Sequence, residues 1–509
     1  MIVKRAALCA GVTVLGLVGV TACGGGSSTS SSSKGGKSIA IGLPFGTVNF
    51  NPWLSPNGSN YTLNYTSAVY DSLTTLSGPD KIAPGIATSW TQPTPTSLQL
   101  TLRSGLTFSD GTPLDAAAVK ANLDYAKTAS PASTLVAYLK DLTTTVVSPT
   151  TLRISATLPV TDLPYDFATG AGFIVNPKAL AHPTTLNNTP DGSGPYTLNS
   201  SGTTTGQQYT FTRRSGYWNK AAFPYDSLAV RVYNSQQALD SAVRSGQVQV
   251  AQGTPQTNNA DRSAGLKVVP GPQVTTVGIW LNDRAGATVK ALADPRVRQA
   301  LNYAIDRKTI TTAAFGADGT ATSLIVGPGS DGYPANAAAS YPYDPAKAKS
   351  LLAAAGYPHG FTLPMLSTQS GDLLAQAVAG YLRAVGVSVT ISDHNTDFVQ
   401  QATSGKWASM VFEWGMDPVG QGISSLITTS FGPSTPALTA QLNGIAGPLL
   451  AATGSARTAA INQAVATVNR EAWFLMVAST GLTYSTASSV ACTDLGVATC
   501  VLPSLKPAQ

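Results

Sequence analysis

A rhythm of helix, glycine and strand recurs along this chain and restricts it to α/β folds. In residues 372–385, Leu374, Ala377, Val378, Tyr381 and Leu382 form one helical stripe. Gly386 stops the helix, and Val387, Val389 and Ile391 then alternate as a strand. Residues 238–250 (ALDSAVRSGQVQV) follow the same order. At 344–356, Asp344 and Pro345 open a helix, Leu351, Leu352 and Ala355 form its buried side, and Gly356 closes it. Helices alternating with strands pack on sheets, and 509 residues exceed what one core holds, so two or three domains are expected.

The most complete helix signal lies at 294–307 (DPRVRQALNYAIDR). Asp294 can cap the free N–H groups of the first turn, and Pro295 fits the first helical position, which needs no N–H. Val297, Ala300, Leu301, Ala304 and Ile305 make one buried stripe. Arg296, Arg298, Asn302 and Asp306 fall outside it. The pattern predicts one surface helix packed on a core.

The first 22 residues read as an export signal: Lys4 and Arg5, then an apolar run over 6–20 that is too short and Gly-rich for a spanning helix. The run ends at Val20-Thr21-Ala22-Cys23, which resembles the bacterial lipobox, where the Cys becomes the lipidated terminus after cleavage. A plain secretory signal is the alternative. The Gly/Ser-rich stretch 23–37 has nothing to bury and suits a tether. One acyl chain holds only marginally, so stable anchoring needs more than one. Cys9 leaves with the signal. Cys492 and Cys500, eight positions apart in an exported protein, are expected to form a local disulfide; two free thiols are the alternative.

Charged residues make up 11% of the chain, against a typical ~25% for soluble domains, so the surface is neutral and hydroxyl-rich. The formal net charge of +6 loses Lys4 and Arg5 with the signal and falls to +4. With no basic stripe, nucleic-acid binding is excluded. No second apolar segment is long enough to span a bilayer, so the lipid anchor is the one membrane contact expected.

Catalytic signatures are missing. His182 and His359 sit beside prolines, and His394 lies in Asp393-His394-Asn395-Thr396-Asp397, which could offer mixed N/O metal ligands or simply be a solvated turn. No H-E-x-x-H, G-x-S-x-G or Walker A motif occurs. Residues 327–332 match G-x-G-x-x-G in form only, because Tyr333-Pro334 continues the loop and no helix follows. No metal, cofactor or enzymatic activity is expected.

Several stretches share one resemblance. They are the helix at 294–307, the run from Ile82 through IAPGIATSW and FSDGTPLDAAAV to Tyr125, Gly192-Ser193-Gly194-Pro195-Tyr196, and Tyr217-Trp218. Together, and in their order along the chain, they resemble the family 5 extracellular solute-binding proteins, the oligopeptide-, dipeptide- and nickel-type receptors of ABC importers. The resemblance implies a two-lobed, hinged α/β fold of the type II periplasmic-binding-protein kind with an extra subdomain. Its expected parts are a signal at 1–22, a tether at 23–37, lobe I at 38–57, 188–267 and 479–509, the extra subdomain at 58–187, and lobe II at 268–478.

The segment 407–418 holds the leading ligand candidates. Ser409–Phe412 (SMVF) reads as a short buried strand, with Glu413, Trp414 and Asp417 at its C-terminal end, where open α/β sheets bind ligands. Trp407 lies just before it. Peptide-binding members of the family carry W-x-x-D-hydrophobic-x-D-P here, and their first Asp pairs with the peptide ammonium. Anchored on Pro418, Asp417 matches the second acid. Trp414 stands at the position of the first, and Glu413 is one place earlier. Each tryptophan has core packing as its alternative. By resemblance, Phe45, Asn49, Trp280 and Asn282 also stand near the cleft. Trp280 and Asn282 are two apart and share a strand face.

The function expected is an extracytoplasmic, lipid-anchored, monomeric receptor. It would deliver a peptide or peptide-like solute to an ABC permease and its ATPases. A sensing or interaction lipoprotein on the same fold is the alternative, and a secreted hydrolase a weaker one.

Overall fold

The computed structural model describes residues 37–44, 49–53, 60–78, 81–128, 139–254, 256–334, 340–368, 371–394, 397–415, 418–428, 432, 434–496 and 499–508. The expected signal, most of the tether, Cys23, Phe45 and Asp417 lie outside them. Among the described residues no helix is long and apolar enough to cross a membrane.

Two large sheets organise the chain. In the seven-stranded sheet, Ser38–Pro44 lies between Ser227–Tyr233 and Val250–Gln252, parallel to both. Its sequence SIAIGLP is buried on both faces. Ile39, Ile41 and Leu43 enter a core with Phe50, Tyr209 and Phe211, while Ala40 faces Leu239, Ala242 and Val243 of the helix Gln236–Arg244. The tail returns to this sheet: Val490, Leu495 and Leu505 lie in the same core, and Cys492 and Cys500 are joined by a disulfide with Cα atoms 5.0 Å apart.

The six-stranded sheet is centred on Thr275–Leu281, antiparallel to both Phe474–Thr480 and Ser409–Gly415. Val277, Ile279 and Leu281 point into a core with Val297, Leu301 and Ile305, and Trp280 points into another with Met410, Phe474 and Met476. A four-stranded antiparallel sheet has its own core around Leu98, Leu100 and Val119. Its helix Ala116–Ala126 is capped by Asp115, which accepts from the Ala117 and Ala118 amides.

The motif at 294–307 departs from its expected form in two ways. It is two helices, Pro295–Tyr303 and Arg307–Phe315, because Asp306 ends nothing and instead caps the second by accepting from the Thr309 amide at 3.1 Å. Asp294 caps the first through the Arg296 amide at 2.8 Å. Arg298 and Asn302 are also not on the surface. Both are buried, and they donate to the Glu471 and Phe474 carbonyls at 3.0 and 3.1 Å. Arg307 extends the clamp to the Met476 carbonyl at 2.7 Å. Asn302 and Arg307 therefore fasten the strand Phe474–Thr480, and Arg298 the turn before it.

The remaining motifs converge on one joint between the seven-stranded and four-stranded sheets. The Ser109 amide donates to Gly192 O at 2.9 Å, and the Gly194 amide to Val69 O at 3.0 Å. A Cβ on Gly192 would stand 2.2 Å from Val69 O, so only glycine allows this approach. Arg214 donates to the carbonyls of Ser193, Gly194 and Phe108, and Tyr217 Oη donates to buried Asp71 at 2.6 Å.

Candidate functional site

The chain passes between the two large sheets at two places that lie side by side. Lys267–Pro270 leads through 271–274 to Thr275–Leu281, and Phe474–Thr480 leads through Gly481 and Leu482 to Thr483–Thr486. The Gly271 amide donates to Leu482 O at 2.7 Å. A Cβ on Gly481 would stand 2.3 Å from Gly271 O, so the two crossings touch backbone to backbone. The sequence reading did not single out either glycine. The available signal was a glycine set between two strand patterns.

Strand register sets the distance of each candidate from these crossings. Thr275 pairs with Gly415 and Thr480, whereas Leu281 pairs with Ser409. Glu413, opposite Val277, is therefore at the crossing end. Asn282, whose amide donates to Ala408 O at 2.9 Å, and Trp407 are at the opposite end. The two ends are about 20 Å apart, the length of six strand residues. Glu413, opposite Val277, is five strand residues or about 17 Å from Asn282, so the two do not share one contact point.

The strand Ser409–Gly415 runs longer than its expected core of four residues, and so carries Glu413 and Trp414 inside it. Alternation then separates them. Trp414 follows Met410 and Phe412 onto one face, where its ring centroid is 5.5 Å from that of Trp280 and its Nε1 donates to Gly422 O at 3.1 Å. Glu413 lies on the other face with Val411 and Val277. It is open to solvent, yet surrounding protein desolvates its carboxyl and raises it above the usual carboxylate range. Among the described residues its carboxylate has no ion pair.

The other candidates hold structural positions. Trp280 is 1% exposed and surrounded by Phe412, Trp414 and Phe474. Trp407 is half-buried, 5.9 Å from the His394 ring, and donates to Gln401 Oε1 at 3.4 Å. Asn49 accepts from the Asn51 amide at 2.8 Å, and Asn51 from the Trp53 amide at 3.0 Å. These successive turns send Phe50 into one core and Trp53 into another. His394 Nδ1 is 3.0 Å from Asp397 Oδ1. Among the described residues no group of three or more His, Cys, Asp or Glu side chains could hold a metal ion.

The match to "Bacterial extracellular solute-binding proteins, family 5 Middle" covers residues 81–434. The glutathione-binding protein GsiB of Salmonella paratyphi A is 31% identical over 369 residues, 70% of this chain and 68% of that protein. GsiB of Escherichia coli K12 is 30% identical over the same length. Among solved structures, the ABC transporter substrate-binding protein CtaP of Listeria monocytogenes superposes with a TM-score of 0.79 at 19% identity, covering 93% of this chain and 100% of CtaP. DppA of Helicobacter pylori, in complex with the peptide STSA, gives 0.75 at 19% identity, covering 93% and 98%. These two share the fold, a two-lobed α/β type. The chain belongs to the family 5 bacterial extracellular solute-binding proteins and is a solute receptor of the ABC-transporter type.

Proposed function

We propose that this protein is a lipid-anchored extracytoplasmic receptor that captures a peptide or peptide-like solute between two lobes and presents it to an ABC permease. Residues 38–57, 188–270 and 483–509 make lobe I, 275–480 lobe II, and 58–187 the extra subdomain, so the expected boundaries at 267 and 478 move to the crossings between strands. Cys23 carries the anchor, and the receptor acts as a monomer. No bond is made or broken. The free energy comes from burying the solute as the lobes close about the crossings.

The observation that carries this reading is the pair of touching crossings with Glu413 beside them. Two short links between rigid sheets allow hinge closure, and a desolvated acid at their edge suits an ammonium group. The relative named for glutathione and the structural neighbour holding the peptide STSA both point to short amide-linked solutes. Such molecules carry an ammonium group that Glu413 can meet.

Native mass spectrometry of the protein purified without added ligand tests the solute class, followed by titration calorimetry with reduced glutathione and with di- to tetrapeptides. A co-purified peptide-like mass and saturable binding are expected. Turnover of the bound molecule, or a sugar or metal chelate bound in its place, would overturn the reading. Cys23→Ala is expected to release the protein from the membrane, as read by cell fractionation.

A further inference from the structure

Asp162 and Arg457 are 295 positions apart and belong to different sheets' surroundings. Asp162 precedes the short helix Leu163–Asp166, whose Leu163 lies in the core of the four-stranded sheet. Its backbone carbonyl accepts from the Tyr165 and Asp166 amides at 2.9 and 3.0 Å, which fixes its place. Arg457 rises from the helix Gly454–Arg470, whose Ile461, Ala464 and Val465 lie in a core of the six-stranded sheet. Its Nη1 donates to Leu449 O at 3.3 Å. A Cβ on Gly420 would come within 2.8 Å of its Nη2, so glycine there leaves room for the guanidinium.

The two side chains meet at 2.7 Å, Nη2 to Oδ1, with 19% and 13% of their surfaces exposed. Beside them a cavity of about 380 Å³ runs between the two bodies and is lined by Trp90, Gln92, Pro418, Val419 and Ile461. Pro418 and Gly420 follow the strand that carries Glu413 and Trp414, and Ile461 of the Arg457 helix shares a core with Trp414, so the pair stands on the Trp414 face of the six-stranded sheet, opposite Glu413. The contact is incomplete. Asp162 Oδ2 is buried without a hydrogen-bond partner, and burial raises the carboxyl above its usual range.

A desolvated ion pair with one oxygen unsatisfied lies near energetic balance, because attraction and dehydration nearly cancel. Within one rigid core, removing either partner would strand a buried charge. Between two bodies joined by a hinge, the stranded charge can regain water if the bodies separate. We infer that Asp162 and Arg457 form an ionic latch between the extra subdomain and the second lobe, whose making and breaking sets the balance of closed and open receptor. The latch rests on the hinged reading of the two crossings, but its test needs no solute.

Spin labels on Val147→Cys and Leu373→Cys, both at exposed positions, report the separation of the two bodies by pulsed electron resonance in the full-length protein. Asp162→Asn and Arg457→Gln are each expected to enlarge the long-distance population at least threefold. The reversed pair Asp162→Arg with Arg457→Asp is expected to return it toward the parent distribution. Unchanged distances in both single variants would overturn the latch. So would a shift that the reversed pair fails to restore, because the contact would then act through packing and not charge. Failure to bind any peptide-like solute, with the distances behaving as expected, would overturn the proposed solute and leave the latch standing.

Discussion

The two edges of the strand Thr275–Leu281 are built on opposite principles. On one edge, Phe474–Thr480 is clamped by Asn302 and Arg307 and the turn before it by Arg298, all buried and all bonded to backbone carbonyls. On the other, Ser409–Gly415 carries Glu413 near its end, open to solvent and without an ion pair among the described residues. The first edge carries the strongest family wording and no free chemistry. The second departs from the peptide-binding wording and holds the free acid. In this chain the recurring motif marks scaffold, and the departure marks where selection of a solute can occur.

The contrast breaks most readily at Arg307. Its guanidinium serves the carbonyls of Met476, Asn302 and Tyr341 and the Asn302 side chain. Arg307→Met relieves the burial of a charge but leaves several buried acceptors without donors. A loss of about 4 kcal/mol is expected in urea unfolding. A neutral result would show that the motif is not a clamp.

Asp71 tests the same principle at the joint beneath the seven-stranded sheet. Burial pushes its carboxyl up to about 6, against the opposing bonds from Tyr217, Ser193 and Trp218. The folded value lies above the unfolded value, so protonation favours the folded form. This contribution is fully present below pH ~4 and is lost as pH rises to about 6, with a size on the order of 3 kcal/mol. Asp71→Asn should remove that slope, as measured by unfolding midpoints across the interval. The tail gives a smaller effect. Replacing Cys492 and Cys500 by Ser frees a short loop and is expected to lower stability by about 2.5 kcal/mol in the same unfolding experiment.

What the sequence revealed followed the range of the interactions. Caps and stops are local, and Asp294 and Asp344 cap as their positions predict, while Gly246, Gly356 and Gly386 take positive φ at helix ends. The burial of Arg298 and Asn302 was not legible, because the carbonyls they serve lie about 170 residues away. Asp306 was ambiguous for a different reason: the apolar stripe runs on through Ala304 and Ile305, so the break between the two helices leaves no mark in the pattern. The candidate site was legible in part. The segment was identifiable, but ending its strand at Phe412 hid that Glu413 and Trp414 face opposite ways. Asp162 and Arg457 carry no local pattern at all.

The smallest effect on folding is expected at the open edge, and it sharpens the comparison most. Glu413 is exposed and has no ion pair among the described residues, so Glu413→Gln breaks no ion pair there and relieves a desolvated charge. Folding stability should change by less than about 0.5 kcal/mol. Binding should behave differently. A charge-assisted hydrogen bond to an ammonium contributes about 1.5–3 kcal/mol, so calorimetry with an amine-bearing peptide should show roughly ten- to hundredfold weaker affinity. The N-acetylated form of the same peptide should bind parent and variant alike. If the acetylated peptide instead loses as much as the free amine, Glu413 shapes the wall without reading the ammonium. The selecting group must then be sought elsewhere on the cleft surface.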